Sequence, residues 1–321
     1  MHRDSIDDLR KLFVGLDKKV NINGKGRIVP INFDNAATTP PFKRVVKRVL
    51  ETTEYYGSIA RGDGQKSQYC SDLYEECRRY ILKYFNAPEE IYTAIFVGNT
   101  TDGLNKLSNI LINNKEDIVI TTRMEHHSND LPWRNKCDLK YVEVNEDGRI
   151  NINEIEELIE RYKEKVKYIT ITGASNVTGY INDIRKISGL IHKYGGKIIV
   201  DGAQLVPHKK IYMYKKDSLE NIDFLVFSGH KIYAPFGSGA IIGLREDFNN
   251  NLPDTKGGGT VEYVIDNNQL WLNTPEKNEA GTPNLFGAVA IMEAMKEIEK
   301  IGFERIEKNE KELLQYLING L

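Results

Sequence analysis

Short apolar runs, rich in β-branched residues, recur along the chain from about residue 30 onward. They are Ala94–Val97, Ile118–Thr121, Tyr168–Thr172, Lys197–Val200, Phe224–Phe227 and Gly239–Leu244. Runs of this length without polar alternation suit strands covered on both faces. Between them, Asp102–Ile112, Ile152–Lys163 and Asp183–Lys193 place apolar residues at i, i+3, i+4 and i+7, the stripe of an amphipathic helix. Strand alternating with helix predicts an α/β domain: a mainly parallel sheet with helices on both faces. Ahead of it the pattern predicts a short helix, Ser5 to Phe13, and a Gly/Asn/Lys-rich connection. Behind it, Gly287 to Leu321 reads as one long helix or two in series, with Phe303 just after a glycine break and an amphipathic stretch, Glu307–Leu317, at the end.

In an open α/β sheet, ligands bind beyond the carboxyl ends of the strands. Four strand ends here run into polar clusters. Ala94–Val97 leads into Gly98-Asn99-Thr100-Thr101-Asp102-Gly103 and a helix, where free backbone N–H groups and two hydroxyls suit a phosphate. A plain helix cap by Thr100 or Thr101 explains the same residues. Ile118–Thr121 leads into Met124-Glu125-His126-His127-Ser128-Asn129, where an imidazole can stack on a flat ring or simply lie on the surface. Lys197–Val200 ends on Asp201, a carboxylate that is costly to bury without a cationic partner, or else the cap of a following helix. Phe224–Phe227 leads into Ser228-Gly229-His230-Lys231. A desolvated lysine there titrates low and attacks carbonyls, whereas an exposed one would only snorkel. Asp201 and Lys231 stand 30 residues apart, about one strand–helix–strand unit, so both can face one crevice. An acid, a lysine, a phosphate turn and a stacking ring are the parts that a pyridinium aldehyde phosphate requires.

Composition narrows the remaining classes. The chain has 321 residues, 44 basic and 46 acidic, for a formal net charge of −2. That balance gives no electrostatic case for nucleic acid or an anionic membrane. No stretch approaches the roughly 18 apolar residues that span a bilayer. Three cysteines (Cys70, Cys77, Cys137) without a CxxC pair fit a reducing, cytoplasmic setting and a structural role rather than disulfides or zinc. The six histidines lack metal-ligand spacing, so no metal is expected. The GxG run Gly237-Ser238-Gly239 precedes a strand rather than a helix, and no GxGxxG opens a helix after a strand, which disfavours a nicotinamide dehydrogenase.

The strings FDNAATTP (33–40), RG (61–62), NTTDGLNKL (99–107), MEHHSNDLPW (124–133), SNVTG (175–179), VDGAQLVPH (200–208), FSGHKIYAPFGSGAI (227–241), GGGT (257–260) and EAGTPN (279–284) follow one another over about residues 31–290. In that order they resemble the class V aminotransferase superfamily of fold-type I pyridoxal-phosphate (PLP) enzymes, and within it the group II cysteine desulfurases and selenocysteine lyases. The resemblance implies roles at the matched positions. Lys231 would hold PLP as a Schiff base, and Asp201 would pair with the ring nitrogen. Gln204 would bond the phenolic oxygen, and His126 would stack on the ring. Thr100, Thr101, Ser228 and His230 would hold the phosphate, and Asn176 would lie near the phenolic oxygen and substrate. Thr282 would reach the phosphate of a neighbouring subunit, which implies a homodimer. The implied chemistry converts L-cysteine to L-alanine, with the sulfur passing as a persulfide to a cysteine thiolate and on to a sulfur-acceptor protein. An aminotransferase, an epimerase, a C–S lyase or a non-catalytic relative are the alternatives.

The resemblance also predicts a division into an N-terminal segment (1–30), a PLP-binding large domain (31–300) and, over 301–321, the start of a linker to a small C-terminal domain. That domain would carry the nucleophilic cysteine and an arginine for the substrate carboxylate. Ala60 stands where these desulfurases have histidine before the Arg-Gly pair, which bears on substrate choice.

Overall fold

The six expected apolar runs become strands of one seven-stranded sheet in the computed structural model, which describes residues 9–24, 26–59 and 62–321. A hairpin, β1 (Val20–Ile22) and β2 (Gly26–Ile28), occupies the segment read as a connection. Of the expected helix Ser5–Phe13, residues before 9 lie outside the described ones, while Leu9 and Arg10 are helical. Then follow α1 (Lys43–Thr53), α2 (Gln65–Tyr84), β3 (Tyr92–Val97), α3 (Thr100–Leu111), β4 (Ile118–Thr122), the short α4 (His127–Asp130), β5 (Asp138–Val142), α5 (Ile152–Tyr162), β6 (Val166–Thr172), α6 (Ile184–His192), β7 (Lys197–Asp201), β8 (Phe224–Ser228), β9 (Gly239–Leu244), α7 (Arg245–Asn250), a second hairpin β10 (Val261–Ile265) and β11 (Asn268–Trp271), α8 (Leu285–Ile301) and α9 (Phe303–Gly320). Gly302, at φ 82°, makes the break between the last two helices.

The sheet order is β3-β9-β8-β7-β6-β4-β5. Pairing is parallel from β8 through β7, β6 and β4 to β5, whereas β9 runs antiparallel to both β8 and β3. Two reversals cancel, so β3 again points the same way as β8. The carboxyl ends of β3, β4, β6, β7 and β8 therefore share one edge. Alternate residues face opposite layers, as the two-residue strand period requires. In β8, Leu225 and Phe227 join the core beneath α1, α2, α5, α6 and α8, while Phe224 and Val226 join the core beneath α3.

One correction concerns the crossover between Asp201 and Lys231. It contains no helix; residues 203–208 form turns, and Pro207 lies among them. Asp201 is thus not a helix cap. A second feature, missed in the sequence, braces the edge of the sheet. Buried Arg78 of α2 donates to both oxygens of Glu279 at 2.9 and 3.0 Å and also to the Ala94 carbonyl. Glu279 in turn accepts from Phe96 N at 2.7 Å and Tyr74 OH at 2.9 Å, tying the segment before α8 to β3.

Candidate active site

The shared strand edge opens on a cavity of about 660 Å³. Nine of the ten expected site residues line it: Thr100, Thr101, His126, Asn176, Asp201, Gln204, Ser228, His230 and Lys231. The tenth, Thr282, borders a separate depression with Asp102 and Lys106, on the far side of Gly98 and Ser238. Arg61 and Ala60 lie outside the described residues.

One corner of the cavity is a helix start. Asn99, not a threonine, caps α3, its Oδ1 accepting from Asp102 N at 2.9 Å. The threonines are left to face the cavity. Thr100 Oγ1 meets Ser228 Oγ at 2.7 Å, and Thr100 N donates to the same oxygen at 2.8 Å. Thr101 Oγ1 meets Ser128 Oγ at 2.7 Å. The positive helix end and hydroxyls from α3, α4 and β8 form an anion-binding corner. The helix sits this low because residue 103 is glycine: a Cβ there would stand 2.5 Å from Val226 Cγ1.

The floor carries the charges. Asp201 is 3% exposed, and its Oδ1 accepts from Ala203 N at 2.9 Å. Burial holds its carboxyl above the ordinary range, while the Ala203 N–H, Lys231 and His126 pull the other way. Burial likewise pushes the Lys231 amine below the ordinary lysine value, opposed by the charge of Asp201. His230 is lowered by burial and by Lys231. Lys231 itself sits on a turn (229–231) directly after β8. Gly229 makes that turn possible, since a Cβ would meet the carbonyl oxygens of Ser238 at 2.8 Å and Ala234 at 2.9 Å.

On the opposite wall, His126 Nδ1 accepts from Ser128 N at 3.1 Å and lies 2.9 Å from Ser128 Oγ. A neutral imidazole so held carries its proton on Nε2. Gln204 Nε2 donates to the Ala36 carbonyl at 3.0 Å, joining the floor to the FDNAATTP segment. That segment also contributes Asp34 and Ala37 to the lining, as the turn after Lys231 contributes Pro235, Gly237 and Ser238. None of these was assigned a role from the sequence; only their presence in the matched strings marked them.

The three cysteines are free, and none lines the cavity. Burial raises the thiol of Cys77 and moves that of Cys137 to about 11, the reverse of an activated thiolate. Among the described residues no cluster of His, Cys, Asp or Glu is arranged to hold a metal ion, and no helix is long and apolar enough to cross a membrane.

Comparison with known proteins places this architecture. The family model described as aminotransferase class-V matches residues 31–321. A probable cysteine desulfurase of Borreliella burgdorferi is 36% identical over 99% of this chain and 76% of its own length. A cysteine desulfurase of Wigglesworthia glossinidia brevipalpis is 33% identical over 98% of this chain and 76% of its own. Among solved structures, the apo cysteine desulfurase of Thermococcus onnurineus superposes with a TM-score of 0.82 at 32% identity, covering 90% of this chain and 72% of that one.

Proposed function

The chain belongs to the class V aminotransferase family, whose members depend on PLP, and on that premise we propose that it is a cysteine desulfurase, converting L-cysteine and an acceptor thiol to L-alanine and a persulfide. The observation that carries the reading is the meeting of Asp201, Lys231 and the α3 helix start in one cavity. That donor set fits PLP: a corner for a dianionic phosphate, a buried carboxylate for a ring N–H, an imidazole wall for the ring face and an amine for the aldehyde. When bound, PLP supplies an electron sink that makes the substrate α-proton removable.

The residues do the rest. Thr100, Thr101, Ser228 and His230 hold the phosphate, and His126 covers the ring face. Asp201 keeps the ring nitrogen protonated, while Gln204 and Asn176 orient the phenolic oxygen and the substrate. Lys231 would anchor the cofactor and would move the proton at the substrate α-carbon; the lowering of its amine by burial suits it to act as a base. The acceptor thiol is neither Cys70, Cys77 nor Cys137, none of which lines the cavity. Thr282, which borders a different face, serves the phosphate of a second subunit in a cytoplasmic homodimer. Residues 31–300 act as the PLP-binding large domain, after an N-terminal segment (1–30), and 301–321 begin the connection to a smaller one.

That no cysteine lines the cavity favours one second reading, a class V enzyme that needs no thiol, such as an epimerase or C–S lyase. One experiment tests the cofactor site. The chain mixed with PLP should gain a visible absorption band that borohydride abolishes, with the adduct mapped to Lys231 and absent in Lys231→Ala. An adduct surviving in that variant refutes the assignment. Adding L-cysteine and a dithiol should then yield alanine and sulfide; racemised cysteine, or pyruvate with ammonia, would instead select the second reading.

A further inference from the structure

Glu125 stands one residue before His126, at a loop position where a charged side chain would ordinarily point to water. The residue is half-buried, and both carboxyl oxygens are engaged internally. Oε1 accepts from Thr122 Oγ1, the last residue of β4, at 2.7 Å, and Oε2 accepts from Asn129 Nδ2 of α4 at 2.6 Å.

Asn129 has no freedom to turn over. It is fully buried, and its Oδ1 already accepts from Thr170 Oγ1 of β6 at 2.6 Å and from Trp133 Nε1 at 3.4 Å. Its NH₂ must therefore find an acceptor at residue 125. The turn 123–126 is thus bolted to β4 through Thr122 and to β6 through Asn129, and Glu125 makes both ties. The same turn presents the His126 ring to the cavity.

The charged groups around Glu125 are Asp201 from the end of β7, Arg123, His126 and His127 on its own turn, and Glu143 beyond β5. Burial, with Asp201 adding to it, pushes the carboxyl up to about 8, against the hydrogen bonds from Asn129, Thr122 and Thr172. Two neighbouring carboxylates cannot both ionise cheaply. Thr122 Oγ1 also accepts from Met124 N at 3.2 Å, so one hydroxyl holds both the backbone and the side chain of the turn.

We propose that Glu125 is a positioning residue that fixes the His126 turn against the cavity through its two hydrogen bonds, from Thr122 and from Asn129. The role at His126 rests on the PLP reading; the tie itself does not. Glutamine keeps the shape and both contacts, its carbonyl accepting from Asn129 and its NH₂ facing Thr122. Alanine removes both ties.

The test uses the apo chain first. The His126 imidazole signal in the proton NMR spectrum, assigned with His126→Gln, should stay in place in Glu125→Gln and move toward the position of a free imidazole in Glu125→Ala. Should Glu125→Ala lose its fold, Thr122→Val cuts one tie without touching a charge and takes its place. PLP titration followed by visible circular dichroism should then show near wild-type affinity for Glu125→Gln. In the untied variant affinity should fall about tenfold, the scale of one lost internal hydrogen bond. A folded untied variant with an unmoved His126 signal overturns the positioning role, and so does Glu125→Gln displaced as far as the untied variant, since glutamine keeps the contact with Asn129. A wild-type chain that ignores PLP refutes the proposed function instead, and the apo signal still decides on Glu125.

Discussion

Substituting Gly103 by alanine should loosen the anion-binding corner from behind. Gly103 lies on α3, one turn in from Thr100. The added Cβ would stand 2.5 Å from Val226 Cγ1 and 3.2 Å from Ile241 Cγ1. Ordinary carbon contacts are about 3.5–4.0 Å, so roughly 1 Å must be found. Val226 and Ile241 are both fully buried, and β-branched side chains have little rotamer freedom. The helix itself must therefore rise. Overpacking of this kind costs about 1–3 kcal/mol, and alanine returns about 1 kcal/mol through helix propensity. The net loss is about 0–2 kcal/mol, measurable by urea unfolding. A shift of that order also lifts Thr100 and Thr101 away from the anion, so PLP affinity should fall about tenfold, as for the loss of one charge-assisted hydrogen bond. The decisive comparison is the double variant Gly103→Ala/Val226→Ala. Removing the Val226 methyls vacates the space, so its destabilisation should fall short of the sum of the single variants by at least about 1 kcal/mol. Strict additivity, or a Gly103→Ala chain that is more stable and binds PLP unchanged, would refute the close seat as what sets the corner.

Asp201→Asn should leave PLP bound but slow deuterium exchange at the substrate α-carbon by roughly 10²-fold or more, followed by NMR of the amino acid; unchanged exchange would rule out the ring-nitrogen role. Because burial lowers the Lys231 amine and Asp201 opposes that shift, the pH at which PLP incorporation levels off should lie below the ordinary lysine range, and Asp201→Asn should move it lower still. Arg78→Met leaves Glu279 buried without its cation and should cost about 3–5 kcal/mol in urea unfolding. A loss below about 1 kcal/mol would mean that the tie between the segment before α8 and β3 is not structural.

The strands were legible because they are buried on both faces. Their apolar runs ended within two residues of the observed strands at both ends, Gly239–Leu244 without change. β5 was not, since as the edge strand it is half-exposed and alternates Asp138 and Lys140 with apolar residues. Direction was equally hidden: an apolar run reads the same both ways, and only pairing shows that β9 is antiparallel. The cavity residues were visible wherever a costly group sat at a buried strand end, as Asp201 and Lys231 do. Asn99 as the cap of α3, and Glu125 within its internal ties, could not be read. An asparagine next to two threonines, or an acid next to two histidines, has a surface reading that only packing removes.

The position of β9 has one more implication. Gly229 and Ser238 are hydrogen-bonded at 2.7 Å, so the stretch carrying Lys231 springs from β8 and lands in β9 like an arch with both feet in the same wall. Thr39 pins its crown twice, through His230 O and Tyr233 N. An arch so footed does not swing. Any reach that the lysine gains while changing partners comes from its own four methylenes, and a graft of residues 228–239 into another sheet would transplant the reactive amine only if an antiparallel neighbour were supplied with it.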